Sequence, residues 1–471
     1  MATSTSRRSD RVRLSSRKRG TVLAAAVLGT ALAYMSDDML NLAIPSVARD
    51  LGATITDAQW ILNAYYVALV SCVLVAGSVG DIVGHRRVFV GGIGVFSVGA
   101  VGCALAPAVE LLVLGRFVQG IGAAMLLTAG LALVSRLNAP EERGRAVGQF
   151  FGLVAAVPAL GPFLSGALID LLSWRWLFVV PLVLPALALV VTFRSVSETP
   201  RDSERGVNVS GGVFVFIALS ALSAALITAA VDPAGPMVRV GLAVAALGGA
   251  AFIRNQRHAA DPLLPFRFLR KRSFLGGNLI WLFACMTSWG AVFFVAVALQ
   301  TTLDQTPMAA GLLLTPIYLV MMVGSPLSGK LADRIGSTRP ILGGLLLYAG
   351  GLLLLSRITP ASAVVPDVVT AILVMAMGMA VFTAPLAAVT MGALDEADQG
   401  VASAFNNEMG QLAGLLAIVL LPAAAGLGGV PFGDPRFALG YGQAMRVITA
   451  LAAICIPLAA WTFRARRQVS S

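Results

Sequence analysis

Twenty-three acidic side chains occur in this 471-residue chain, and three of them stand where a carboxylate is expensive. Asp37 and Asp38 fall in YMSDDMLNLAIP (34–45), inside an apolar run that opens at Gly20, and Glu408 falls in FNNEMGQLAG (405–414). On insertion scales such a group costs about 2.5–3.5 kcal/mol at the bilayer centre, so an intramembrane acid marks a proton, ion or substrate site. Proton coupling requires a group that can be charged or neutral within the membrane, and these three acids qualify. Two cations, Arg116 and Arg446, also remain inside apolar runs.

Depth along the runs predicts which groups meet. Asp37 lies about eight residues short of the outer end of its run, and Arg116 about six residues below Glu110; at 1.5 Å per residue both sit roughly 10 Å below the same surface. Arg116 is therefore expected to contact Asp37 or Asp38. Asn41, at i+4 from Asp37 and i+3 from Asp38, shares their face. Asp38 is favoured as the cavity-facing acid because it lies one turn from Asn41 and nearer the outer vestibule. Glu408 lies about 12 Å into its run. Asn407 and Gln411 extend it into a polar strip, and Gly410 and Gly414 form a G-x3-G face for close helix packing. The alternatives are two aspartates that snorkel to the outer interface and, for Glu408, a helix-end acid or an interhelical hydrogen-bonding bridge. Trp281, Phe283, Met286, Trp289 and Phe293, followed by Tyr318, Met321 and Met322, make aromatic and sulfur-rich surfaces that suit amphipathic ligands. Lipid-facing packing explains any one of them equally well.

The elements that must hold these groups are membrane spans. The chain is 58% hydrophobic and 12% charged, with mean hydropathy +0.85, against about 25% charged residues in a soluble domain. Fourteen apolar runs lie between residues 20 and 463, many of about 20 residues, the length that crosses a hydrocarbon core. Ten-residue alternating segments, the mark of a membrane β-barrel, are absent from the sequence. The net charge of +11 is topological rather than a nucleic-acid signal. With the N-terminus inside, 27 of the 34 Lys and Arg fall on cytoplasmic segments, and Arg49, Arg175, Arg239, Arg357 and Arg436 fall outside. Both termini are thus expected in the cytoplasm, although Asp395, Glu396 and Asp398 make one inner loop purely acidic. The basic N-terminal stretch and the run after it look like a signal peptide without a small-residue cleavage site, and are read as a retained first helix. Cys72, Cys103, Cys285 and Cys455 all lie in apolar runs with no metal-ligand spacing. GSPLSGK (324–330) imitates a phosphate loop, but Leu331 replaces the magnesium-binding hydroxyl and no strand precedes it. No catalytic triad or cofactor loop is present, so no enzyme, metal, ATP or other cofactor is expected. The preponderance of Arg over Lys, with abundant Ala, Gly and Val, suggests a bacterial, GC-rich source.

A repeat ties the runs together. GSVGDIVGHRR follows span 2 and GKLADRIGSTR follows span 10: Gly77, Asp81, Gly84, Arg86 and Arg87 correspond to Gly329, Asp333, Gly336 and Arg339, with the glycines and aspartates offset by 252 residues. The glycines permit a tight turn, and the Asp can accept from helix N–H groups or pair with the basic cluster. With WILNAYYVALV, GRFVQGIGAA, GPFLSG (161–166) and SWRWLF, this repeat resembles the major facilitator superfamily over essentially the whole chain. An offset of eight spans places two extra helices between two six-helix halves, as in the superfamily's fourteen-helix drug:proton antiporter branch.

The resemblance implies an all-α polytopic membrane protein of the major facilitator fold. Its parts are a basic cytoplasmic tail (1–19), an N-terminal six-helix bundle (20–195), a linker with two extra transmembrane helices (196–273), a C-terminal six-helix bundle (274–464) and a second cytoplasmic tail (465–471). It implies a monomeric antiporter in a bacterial plasma membrane that exports drug-like or secondary-metabolite molecules against protons. Proton coupling falls to Asp37, Asp38, Arg116 and Glu408. The substrate cavity falls to Asn41, Gln119, Trp281, Trp289, Tyr318, Asn407 and Gln411. The two repeats form a cytoplasmic gate, and Gly161, Pro162 and Gly166 an antiporter motif. Two departures stand out: Ser36 occupies the position of the branch's usual first-helix Asp, and Val157 and Ser165 replace motif glycines. A transporter of another solute (lipid, siderophore, sugar or nutrient) and a non-transporting sensor or scaffold are the remaining readings.

Overall fold

The computed structural model describes residues 16–137, 146, 149–150, 152–154, 157–195, 209–229, 231–258, 267–395, 398–427, 430, 434 and 436–463. The far N-terminal tail, the C-terminal tail and, in the 196–273 linker, residues 196–208, 230 and 259–266 lie outside these residues, as does Glu396 of the acidic inner loop. The described chain is helical: α1 Ser16–Leu51, α2 Ile55–Val83, α3 His85–Ala104, α4 Val109–Leu137, α5 Gly161–Leu171, α6 Trp176–Val179, α7 Val183–Ser195, α8 Val209–Ala229, α9 Pro236–His258, α10 Arg272–Thr301, α11 Pro307–Ile335, α12 Thr338–Leu355, α13 Thr370–Met391, α14 Gln399–Ala424 and α15 Arg436–Phe463.

Local chemistry sets the helix boundaries. Thr54 and Asp57 cap α2 reciprocally, with Asp57 N–H donating to Thr54 Oγ1 at 3.2 Å and Thr54 N–H to Asp57 Oδ2 at 2.8 Å. Gly84 and Gly336, the last glycines of the two repeats, both take positive φ (106° and 81°) and turn the chain from α2 into α3 and from α11 into α12. The same backbone device at both places is the physical content of the repeat. Pro158 removes a donor from the region before α5, where a 3-10 turn, Val157–Leu160, precedes a new helix that holds Pro162 in its first turn.

Twelve helices among the described residues are long and apolar enough to cross a membrane, and α2, bent by 47° between Ile55–Val73 and Val75–Val83, makes a thirteenth. The expected count of fourteen is not reached in the described chain. The run at 146–170 lies partly outside it and ends in the 11-residue α5.

Burial sorts the helices. The most apolar window of α10 is 72% buried and that of α1 67%, against 22% for α8 and 11% for α9. α8 and α9 pair with each other at the periphery, α8 also touching α2 and α14. Helices α1, α2, α5, α10, α11 and α14 meet at the centre. The end of α1 at Leu51 lies beside the starts of α2 and α11 and the ends of α5 and α10. There Asp50 accepts from Trp174 Nε1 at 3.0 Å and from Arg175 at 2.5 Å, so SWRWLF ties α1 to the loop before α6. The start of α10 meets the end of α15, where Arg272 donates to the Trp461 carbonyl. The chain therefore enters through α1 and leaves through α15 at the same end, the one that also holds Gly84 and Gly336.

Candidate functional site

α1 runs unbroken through the anomalous stretch, placing Tyr34, Asp37 and Asn41 on one stripe at i, i+3 and i+7. Arg116 of α4 donates to Asp37 Oδ1 at 3.0 Å, and Tyr66 of α2 donates to Asp37 Oδ2 at 2.5 Å. The guanidinium is fully buried, lies 4.2 Å from the centroid of the Tyr65 ring and donates to Gln119 Oε1 at 3.1 Å. Tyr65 in turn donates to the Ala33 carbonyl at 2.8 Å. Removing one partner from a buried pair of this kind costs about 3–5 kcal/mol, because the other charge is stranded.

A cavity of about 330 Å³ opens between α1, α10 and α14, with Tyr34, Trp281, Trp289, Asn407 and Gln411 in its wall. Beneath it sits a chamber of about 10 Å³, roughly one water, walled by Asp37, Tyr65 and Tyr66. Tyr34, Trp289 and Gln411 border both spaces and form the neck between them. Tyr34 donates to Asn407 Oδ1 at 2.9 Å, linking α1 to α14 across the neck. Glu408 is half-buried beside Asn407 and lies close enough to Tyr34 to act on it electrostatically. The glycines of that helix serve close approach as expected: Gly410 faces the Trp281 indole, and a Cβ on Gly414 would collide with the Tyr66 ring.

The structure thus brings Arg116 to one of the two aspartates, and it is Asp37. The preference for Asp38 as cavity-facing is overturned. One residue rotates a helical side chain by about 100°, so Asp38 leaves the Tyr34–Asn41 stripe and turns toward Tyr318 of α11 and Gly161 of α5. Closeness to the vestibule does not set facing; the stripe does. Of the residues assigned to a substrate cavity, Trp281, Trp289, Asn407 and Gln411 line this space, and three others do not. Gln119 is wholly buried behind Arg116, packed against Gly99 and Cys103 of α3. Tyr318 lies beside Asp38, and Asn41 turns back on its own helix, 3.5 Å from the Asp37 carbonyl. Met322 is 54% exposed on the outer surface of α11.

The GPFLSG stretch lies elsewhere. Cβ atoms on Gly166 and Gly311 would strike the Pro307 and Pro162 carbonyls respectively, so α5 and α11 cross at backbone contact. Ser165, the departure from the motif, donates to the Met39 carbonyl at 2.7 Å. In the two repeats, Asp81 lies 3.2 Å from His85 Nε2, and Arg86 lies over the Phe193 ring. Asp333 and Arg339 are exposed, with no ion pair among the described residues. Sequence reasoning missed Tyr34, Tyr65, Tyr66 and Gln59. Their signal was present in WILNAYYVALV and its surroundings, because a tyrosine buried in an apolar span needs a partner for its hydroxyl.

Residues 26–418 match the Major Facilitator Superfamily. The multidrug resistance protein Stp of Mycobacterium tuberculosis (strain CDC 1551 / Oshkosh) is 29% identical over 389 residues, 81% of this chain and 71% of that one. The puromycin resistance protein pur8 of Streptomyces alboniger is 31% identical over 398 residues, 83% and 78% of the two chains. Among solved structures, a bacterial homologue of the human lysosomal transporter Spinster, in an inward-facing and unoccupied conformation, superposes with a TM-score of 0.68 at 15% identity. It covers 97% of this chain and 100% of its own. The chain belongs to the Major Facilitator Superfamily. It is a multi-pass membrane transporter of small molecules, not an enzyme.

Proposed function

We propose that the protein is a proton-coupled antiporter that exports drug-like, amphipathic and in part cationic small molecules by alternating access. The observation that carries this reading is the buried Asp37–Arg116–Tyr66 cluster directly beneath the Trp- and Asn-lined cavity, joined to it by a one-water chamber. A carboxylate held there by a guanidinium can be neutralised only by a proton or a cation that arrives through the cavity. Occupancy by one therefore opposes occupancy by the other, which is the logic of exchange. Glu408, beside the neck, supplies a second carboxylate for a proton or a cationic substrate. Relatives bearing drug- and antibiotic-resistance names support the substrate class.

In this reading the chain has fourteen spans, the run at 146–170 completing the set. Two six-helix bundles (20–195 and 274–464) flank α8 and α9, and both termini lie in the cytoplasm of a bacterial cell. The cavity then opens inward, and the Gly166–Gly311 crossing seals the outside. The pH gradient is the energy source, without ATP or a bound cofactor, and the monomer is the working unit.

Everted membrane vesicles test this through substrate-induced proton release across cationic and neutral compounds. Asp37→Asn is expected to abolish the proton signal and reduce gradient-driven transport at least tenfold, with Asp38→Asn milder. Unchanged gradient-driven transport in both variants would sink the assignment, and a flat response to every compound by inserted wild-type protein would favour another solute or a non-transporting role.

A further inference from the structure

Asn63 of α2 is completely buried, yet among the described residues neither its amide oxygen nor its amide nitrogen has a hydrogen-bond partner. The polar residues one turn away on either side are both engaged. Gln59 donates to the Ile418 carbonyl at 2.8 Å, and Tyr66 donates to Asp37 at 2.5 Å. Positions 59, 63 and 66 follow i, i+4, i+7 and share one face, so Asn63 lies on the stripe that α2 turns toward α1 and α14. α1 ends at Leu51 and α2 begins at Ile55, so the two helices run antiparallel, and Tyr66 reaches across from α2 to Asp37. The Asp37–Asn41 turn of α1 therefore stands opposite the Asn63–Tyr66 turn of α2.

A leucine of similar size would fill this place without the desolvation penalty of two unmet polar groups. The side chain makes sense if its partner arrives in another protonation state. A carboxylate only accepts hydrogen bonds, and Arg116 and Tyr66 supply donors to it. A carboxylic acid both donates and accepts, and an amide, with one carbonyl and one NH2, matches it with two parallel bonds.

We propose that Asn63 is the hydrogen-bond partner of Asp37 in its protonated form, so that Asp37 alternates between Arg116 with Tyr66 and the Asn63 amide. The step is a proton addition alone. A proton entering through the chamber bonds to a carboxylate oxygen, and the ion pair with Arg116 is lost. The new O–H donates to Asn63 Oδ1, and the other carboxyl oxygen accepts from Nδ2–H. Arg116 keeps Gln119 and the Tyr65 ring, and the net charge of the site rises by one, which opposes a cationic substrate in the cavity. Asn63 is a positioning residue that acts through Asp37.

The groups around Asp37 are Arg116 from α4, Tyr65 and Tyr66 from α2, Tyr318 from α11, Asp38 and Tyr34 on α1, and Glu408 from α14. α10 contributes the Cys285 thiol in the cavity wall and carries Arg272 at its first position. α5 and α7 carry Asp170 and Arg194 in their last turns. Asp38 and Glu408 are therefore the carboxyls whose titration must be separated from that of Asp37.

The inference rests on Asp37 being a coupling acid, and pH-difference infrared spectroscopy of the reconstituted full chain separates the two claims without a substrate. Asp37→Asn should remove one protonated-carboxyl band. Asn63→Leu should move the midpoint of that band to roughly tenfold higher proton concentration, about one pH unit lower, because the neutral acid has lost its partner. Asn63→Gln, which keeps the amide, should restore part of the shift. Asn63→Ala gives the same comparison should the leucine variant insert poorly. A purely structural role would alter yield or rate and leave the midpoint in place. An unmoved midpoint in both Asn63→Leu and Asn63→Ala overturns the assignment of Asn63. A wild-type spectrum with no band that Asp37→Asn removes overturns the coupling role of Asp37, and this inference with it.

Discussion

At the Leu51 end of the molecule the two halves meet through their backbones, whereas at the Gly84 end the conspicuous residues are charges on helix tips. Ile55 N–H donates to the Val430 carbonyl at 3.2 Å, Gln59 to Ile418 at 2.8 Å, Gln300 of α10 to Leu42 at 2.9 Å, and Met308 N–H to Asp170 at 2.9 Å. The α5–α11 crossing adds a contact that only glycine at positions 166 and 311 permits. At the other end, Asp81 meets His85 across the Gly84 turn, while Asp333 and Arg339 face outward. Backbone-directed contacts seal because they depend on sub-ångström fit. Exposed charge pairs contribute about 0–1 kcal/mol and are readily made and broken. A transporter needs one end shut and the other free to engage later, and this division of labour fits that need.

The largest disturbance of this comparison is predicted at the crossing. Gly311→Val places side-chain carbons against the Pro162 carbonyl, an overpacking that costs about 1–3 kcal/mol. The sealed end should spring open, so that a cysteine introduced at Ser46 reacts with a membrane-impermeant maleimide at least tenfold faster than in the Gly311 background. Transport should fall by a similar factor. Labelling no faster than background would mean that the crossing is not what closes this end.

A smaller effect is expected from Gln59→Leu. The substitution keeps the volume near that of glutamine but deletes the bond to α14, a net loss of about 1 kcal/mol. The same Ser46 cysteine should label roughly fivefold faster, with the site below it intact. If Gln59→Leu opened the end as far as Gly311→Val, hydrogen bonding rather than close packing would be the principal seal.

These positions also show what could be read from the sequence. Asp37 and Arg116 were matched by depth, because the rise per residue converts a count along each apolar run into a height. The repeat was legible because Gly84 and Gly336 satisfy the same backbone requirement, and the glycines of GPFLSG because close crossings need small residues. Facing was not legible for adjacent residues: Asp37 and Asp38 differ by about 100° of rotation, and the partner helix that decides between them lies far away in the chain. Gln119 in GRFVQGIGAA and Tyr318 were misplaced for the same reason, and Gln59 and Tyr66 were missed because their partners, Ile418 and Asp37, are 359 and 29 residues distant. The run at 146–170 looks like a plain span, although a 3-10 turn containing Pro158 precedes α5.

The smallest structural effect is expected at the gate repeats, where Asp81→Asn and Asp333→Asn should each change stability by no more than about 0.5 kcal/mol. Asp81 gives up an i,i+4 contact with His85, and Asp333 gives up no ion pair among the described residues. Their transport rates should nevertheless fall several-fold, because the proposed latch, engaging only in the opposite state, would contribute to the barrier between states and not to this one. Melting temperature in detergent and initial transport rate, measured on the same preparations, separate the two effects. A loss of more than about 1 kcal/mol in either variant would mean that its repeat already holds the halves together here. The contrast between a sealed end and a waiting end would then collapse into two ends that are both engaged.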